Sequence, residues 1–286
     1  MDYRTLIDAP SLEAGLNVCA AGIKRVVLDC RFNLMQPEAG LALYRQGHIP
    51  GAIYAHLDRD LSSAITPQSG RHPLPDPQQL AQRLGEWGID VNTQVVVYDD
   101  MGGAMAARAW WLLRWLGHER VAVLDGGFPA WVATEGAVSD EPVAPTPCDP
   151  YPYRMASDAV ITTAEVLTNL QTPTFTLIDA RNAERFYGEQ EPIDPVAGHV
   201  PGALNRPLSA SLTTTGTFKT AAQLRAEWLV LLENHQPETL VAMCGSGVTA
   251  CHLLLALEVA GLPGARLYAG SWSEWIRDTD RPIATR

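Results

Sequence analysis

The chain states most of its content twice. Gly47-His48-Ile49-Pro50-Gly51-Ala52 returns as Gly198-His199-Val200-Pro201-Gly202-Ala203, and Leu28-Asp29-Cys30-Arg31 returns as Ile178-Asp179-Ala180-Arg181. Near the end of each half, Gly126-Gly127-Phe128-Pro129-Ala130-Trp131 is answered by Gly270-Ser271-Trp272-Ser273-Glu274-Trp275. A unit this long that occurs only twice is a duplicated domain and not a solenoid, and 286 residues exceed a comfortable single core. Between the copies, Glu141 to Pro152 carries prolines at 142, 145, 147, 150 and 152, which deny it helix or central strand. The sequence therefore predicts a first domain over 1–140, a connector over 141–152 and a second domain over 153–286.

Each copy alternates short apolar runs with helical stretches. Val26-Val27-Leu28, Val95-Val96-Val97-Tyr98 and Val121-Ala122-Val123-Leu124 read as buried strands of the first copy, with a Gly/Ala turn at 102–104 opening a helix through Trp110, Trp111 and Trp115. In the second copy, Leu240-Val241-Ala242-Met243 reads as a strand and Thr249 to Ala260, free of Pro and Gly, as a helix. Such alternation predicts an α/β fold in each half, a mostly parallel sheet with helices on both faces.

The duplication also separates fold from chemistry. What both halves share belongs to the architecture: His48 with His199, Arg31 with Arg181, and Trp131 with Trp275 are expected to hold the fold. Aligning Gly117 on Gly261 and Trp131 on Trp275 sets Asp100 opposite Cys244, so a position that is a thiol in one copy is a carboxylate in the other. A carboxylate there cannot attack soft sulfur, and the first copy is expected to be inert. Cys244 opens Cys244-Gly245-Ser246-Gly247-Val248-Thr249, between a strand and a helix. The glycines let the amides of Gly245, Gly247, Val248 and Thr249 turn inward above a helix N-terminus, a nest that favours an anion. A helix terminus contributes only about 0.3–1 kcal/mol at an exposed site, so direct amide hydrogen bonds must do most of the holding. The alternative is Cys244 as a small buried hydrophobe. Three further residues have no counterpart in the other copy: Arg185, Asp58 and His72. Cys251, about two helical turns beyond Cys244, reads as core, and Cys19, Cys30 and Cys148 carry no signal.

Twenty-one basic against 32 acidic residues give a net charge of −11 with no basic cluster. Nucleic acid and anionic membrane are poor partners for such a chain. Five cysteines without a CxxC pair argue against a disulfide framework and against a zinc site. No run reaches transmembrane length, and the early residues lack a signal-peptide core, so a cytoplasmic location is expected.

Taken together, the connector, the doubled GH[I/V]PGA, the Cys-led loop in the second copy alone and the late GSWSEW resemble the two-domain sulfurtransferases of the rhodanese superfamily, over Val26 to Arg277. The resemblance implies a catalytic second domain, an active thiol at Cys244 and a site in the cleft between domains. It further implies a proton relay of Ser246, His72 and Asp58, with Arg185 holding a substrate carboxylate. Thiosulfate-using members typically place two basic residues in the loop. The wholly non-basic Cys244 to Thr249 loop is similar instead to that of 3-mercaptopyruvate sulfurtransferases. One segment departs from that pattern: where those enzymes often carry a second carboxylate-binding arginine, this chain reads Glu191-Pro192-Ile193-Asp194-Pro195. The expected reaction is ping-pong transfer from a small anionic sulfur donor through a Cys244 persulfide to a thiol such as thioredoxin, or to cyanide, with no metal or organic cofactor required. Thiosulfate is the alternative donor. A Cys-dependent phosphatase is disfavoured because the arginine expected six positions after the cysteine is Ala250, and a non-catalytic binding module is the remaining alternative.

Overall fold

The computed structural model describes residues 2–17, 24–233 and 235–286; Cys19 lies outside them. By their contacts these divide into two compact units, one of 2–17, 24–63, 75–156 and 214–218, the other of 64–74, 157–213, 219–233 and 235–286. Residues 64–74 thus belong to unit 2, although they fall within the first copy of the sequence repeat.

In unit 1 the strands are β1 (Leu6–Ile7), β2 (Arg25–Asp29), β3 (Ile53–Tyr54), β4 (Gln94–Tyr98) and β5 (Val121–Leu124), ordered β1-β5-β4-β2-β3. In unit 2 they are β6 (Val160–Ile161), β7 (Thr176–Asp179), β8 (Leu204–Asn205), β9 (Leu240–Met243) and β10 (Arg266–Tyr268), ordered β6-β10-β9-β7-β8. All pairings between these named strands are parallel. The central strands β4 and β9 are buried along their whole length, as expected of strands covered on both faces. The two-residue edge strands β1, β3, β6 and β8 are too short to leave a sequence period.

The helices leaving the central strands, Ala106–Trp115 and Ala250–Val259, are apolar almost all round and nearly fully buried, the pattern of a helix with no water-facing side. One core of unit 1 gathers Ile7, Leu12, Val96, Tyr98 and Trp131; its counterpart in unit 2 gathers Ile161, Phe186, Met243, Trp272 and Trp275.

The shared residues hold the two units in the same way. Arg31 donates to both oxygens of Asp29 and to the Gly47 carbonyl (2.7 Å), while Arg181 donates to both oxygens of Asp179 and to the Gly198 carbonyl (2.8 Å). His48 bonds through Nδ1 to the Tyr44 carbonyl and stacks on that ring at 3.9 Å; His199 does the same with Phe186 at 3.7 Å. These four side chains tie loops to sheets in both copies.

The register corrects one sequence expectation. Asp29 pairs with Tyr98 and Asp179 pairs with Met243, and Phe128 N–H donates to the Asp99 carbonyl as Trp272 N–H does to that of Cys244. Asp99, not Asp100, therefore stands where Cys244 stands. Alignment from the helix side misses this because the first loop is one residue longer than the second.

Candidate active site

In unit 2 the chain leaves β7 toward β8 on one side and leaves β9 toward β10 on the other, so the loops after β7 and β9 diverge at their carboxyl ends. Parallel sheets bind ligands at such a switch point. Cys244 immediately follows β9, and Arg181 and Arg185 follow β7.

Cys244 is 2% exposed, and the Gly247 N–H points at its Sγ at 3.2 Å. Of the loop amides expected to surround the sulfur, that of Gly247 is the one bonded to Sγ among the described residues. Gly247 has a positive φ of 78°, and a Cβ there would come within 2.3 Å of the Ala269 carbonyl oxygen, so no other residue lets the turn close this way. Behind the loop, Ser271 Oγ accepts the Cys244 N–H at 3.1 Å and donates to the Tyr268 carbonyl at 2.9 Å. Ser271 is buried at φ 54°, a left-handed conformation that a serine adopts at a cost of about 1–3 kcal/mol. The corresponding unit 1 residue, Gly127, takes φ 59° without that cost. The strain is met where it anchors the peptide bearing the thiol.

Two of the expected relay residues meet. Ser246 Oγ lies 2.7 Å from His72 Nδ1, both side chains buried. Asp58 belongs to unit 1, on the short helix Leu57–Asp60, where its N–H donates to His56 Nδ1 at 3.1 Å.

Arg185 reaches the loop, but not alone. A Cβ built on Gly245 would stand 2.9 Å from Arg71 Nη2 and 3.6 Å from both Arg185 terminal nitrogens, so glycine here is what admits two guanidinium groups beside Cys244. Arg71 is the residue beside this loop that the sequence reading did not single out. Its N–H is fixed by Ser273 Oγ at 3.0 Å, and its position immediately before His72, also without a counterpart in the second copy, was the available signal. Burial lowers the Arg71 pKa below its ordinary value; the charge of Cys244 opposes this and Arg185 adds to it. The basic pair missing from the Cys244 loop is thus supplied from two other segments.

Both arginines are held by carboxylates. Glu191 accepts from Arg185 Nε at 3.0 and 3.1 Å, and its Oε1 also accepts the Ile193 and Asp194 N–H groups. Asp194 bridges the pair: Oδ1 accepts from Arg71 Nη1 and Oδ2 from Arg185 Nη2 at 3.0 Å.

Other cysteines stand apart from this site. Cys251 is buried, with Sγ 3.4 Å from the Gly247 carbonyl, Cys30 is buried with its pKa raised by burial and by Asp29, and Cys148 is partly exposed. Among the described residues no group of three His, Cys, Asp or Glu is arranged to hold a metal, and no helix is long and apolar enough to cross a membrane.

A Rhodanese-like domain model matches residues 12–134 and again 162–278. The chain is 49% identical over 262 residues to a probable 3-mercaptopyruvate sulfurtransferase of Pseudomonas aeruginosa, covering 91% of this chain and 92% of that one. It is 35% identical to the thiosulfate sulfurtransferase of Rattus norvegicus, covering 96% and 93%. The solved 3-mercaptopyruvate sulfurtransferase from Leishmania major superposes with a TM-score of 0.84 at 29% identity, covering 95% of this chain and 74% of that one. With two matches that span most of its length and relatives of this similarity, the chain belongs to the rhodanese-like domain family, carrying that domain twice.

Proposed function

We propose that the protein is a sulfurtransferase that takes the sulfur of 3-mercaptopyruvate onto Cys244 and passes it to a thiol acceptor or to cyanide. The supporting observation is the convergence on one loop of a thiol with an amide donor at 3.2 Å, a Ser246–His72 pair at 2.7 Å and two guanidinium groups crowding Gly245. Nucleophile, proton carrier and carboxylate anchor are then within one substrate's reach.

The Cys244 thiolate attacks the substrate sulfur. An S–S bond forms, the C–S bond breaks, and its electron pair passes to the pyruvate enolate, which Ser246 protonates with His72 resupplying the proton. Arg71 and Arg185 hold the carboxylate so that the sulfur lies over Cys244. Amides of Gly245, Gly247, Val248 and Thr249 line the place where the transferred sulfur rests. A thiol such as reduced thioredoxin then attacks the outer sulfur, or cyanide leaves with it as thiocyanate. Asp58 is the third relay member that the family resemblance implies, and Asp58→Asn tests it. In unit 1 the thiol's place is taken by Asp99, a group without reactivity toward sulfur, and we place the sulfur-carrying step in unit 2. The cysteine pattern favours the cytoplasm.

Thiosulfate is the competing donor, favoured by the paired arginines and by the relatives named for it. The deciding experiment measures kcat/KM for both donors with one acceptor. Higher kcat/KM for 3-mercaptopyruvate, a one-sulfur mass increase on Cys244, and loss of pyruvate release in Cys244→Ser are expected. Pyruvate release by Cys244→Ser would overturn the assignment of the nucleophile.

A further inference from the structure

We infer that Asp194 is a specificity-determining residue: its carboxylate clips Arg71 to Arg185 and cancels part of their charge, so that the site favours a monoanionic donor over a dianionic one. The inference rests on the proposed sulfurtransferase reading and deepens it.

Two guanidinium groups that share one small space repel each other, and both would turn toward water unless an anion lay between them. Asp194 supplies that anion, one oxygen to each guanidinium, with its side chain 3% exposed. It does not depend on its own backbone alone for position. Glu191 accepts the Asp194 N–H at 3.0 Å and clasps Arg185, and is itself 4% exposed. The clip uses Arg71 Nη1 and Arg185 Nη2, while Arg71 Nη2 and both terminal nitrogens of Arg185 lie toward Gly245, which leaves Arg71 Nη2 and Arg185 Nη1 outside the clip. One edge of each guanidinium is consumed by protein carboxylates and the other is turned toward the loop that bears Cys244.

Arg71 and Arg185 contribute two positive charges and Glu191 and Asp194 two negative ones, so these four side chains are formally neutral before a donor binds, and the attacking Cys244 thiolate, which acts on Arg71, adds one more negative charge. Arg181, whose Nη1 also lies 3.5 Å from Glu191 Oε2, and its partner Asp179 add one charge of each sign and leave the balance unchanged. A donor with one carboxylate gains directed hydrogen bonds from the two free edges. One with two negative charges gains the same bonds but no net attraction for its second charge. An arginine pair that would by itself suit a dianion is in this way returned to monoanion recognition, and the Glu191 to Pro195 segment reaches by a carboxylate the selectivity that an added arginine would give by an extra bond.

The test compares wild type with Asp194→Asn, which keeps the shape and one acceptor but removes the charge, and with Asp194→Glu, which keeps the charge. Each is assayed for kcat/KM with 3-mercaptopyruvate and with thiosulfate. The ratio of thiosulfate to 3-mercaptopyruvate should rise about tenfold or more in Asp194→Asn, the effect of one unit charge roughly 8–10 Å away at an effective dielectric near 20, with the gain in KM for thiosulfate. It should stay within about threefold of wild type in Asp194→Glu. A merely structural role would depress both donors together and leave the ratio unmoved, which overturns the inference, as does an equal rise in Asp194→Glu. If Asp194→Asn does not fold, Asp194→Ser carries the same prediction; if neither folds, Asp194 is structural and the inference is wrong. Wild type that fails to turn over 3-mercaptopyruvate refutes the proposed function instead, so the two failures are distinguishable.

Discussion

Asp99 shows what the strand-to-helix loop of this fold is built to hold, and replacing it is the sharpest test of that view. Its carboxylate is fully buried and accepts four backbone N–H groups: Oδ1 those of Met101 (2.8 Å) and Gly103 (2.9 Å), Oδ2 those of Met105 (2.7 Å) and Ala106 (2.8 Å). Hydrogen bonds to a charged acceptor are worth about 1.5–3 kcal/mol each, and an unpaired buried donor forfeits about as much. Four would sum to roughly 6–12 kcal/mol, but a water entering the vacated space can recover part. A net loss of about 4 kcal/mol for Asp99→Ala is expected. Asp99→Asn keeps one oxygen for two of the donors and turns an amide NH2 toward the other two, so about half that loss is expected. Against a domain stability of roughly 5–15 kcal/mol, the alanine variant should be barely folded in unit 1.

The assay is urea unfolding followed by tryptophan fluorescence. Unit 1 holds Trp87, Trp110, Trp111, Trp115 and Trp131 of the eight tryptophans, and hydrogen exchange of the β4 amides provides a reading specific to that unit. The expected order is wild type, then asparagine, then alanine, with β4 protection lost in step. An Asp99→Ala protein within about 1 kcal/mol of wild type would refute the reasoning. The four amides would then have other partners, and the loop could not be called a nest organised around a negative group.

Two further outcomes follow from the same geometry. Ser271→Ala and Ser271→Gly both remove the acceptor of the Cys244 N–H, so both should lose several-fold in kcat, while glycine alone relieves the positive φ and should melt at the higher temperature; full activity in Ser271→Gly would show that the hydroxyl does not position the thiol. Burial holds His118 below its ordinary pKa of 6.5, with Nδ1 on the Tyr151 hydroxyl and Nε2 on the Arg120 carbonyl. The unfolded chain therefore binds the proton first. The His118 contribution is undiminished above about pH 6.5 and is lost as pH falls below it, so the Tm of unit 1 should fall between pH 7 and 5.5 and do so less steeply in His118→Gln.

What could be read from the sequence was whatever lies close along the chain or is stated twice. Arg31 and Arg181 bond to the carboxylates two residues before them, so each copy of the motif carries its own partner, and the repeat alone marks the pair as architectural. The strands β4 and β9 announce themselves because a strand buried on both faces must be apolar throughout. Cys244 stood out for the converse reason, as a reactive group without a twin. What escaped was decided by distance along the chain or by a single residue of loop length. Arg71 sits in a segment of the first copy that folds into unit 2, and no local pattern reveals that a stretch has changed domains. The place of Asp99 depends on whether the extra residue of its loop is counted from the strand or from the helix, and only the hydrogen-bond register decides. Asp194 could be seen in the sequence only as an arginine that was missing. The structure makes it an acceptor for two arginines, one nine residues away and one 123 residues away. Buried charges can be assigned a role only once their partners are known, since the same carboxylate would be costly alone and is stabilised when bridged. For that reason the electrostatics of this site, rather than its nucleophile, required the fold to be seen.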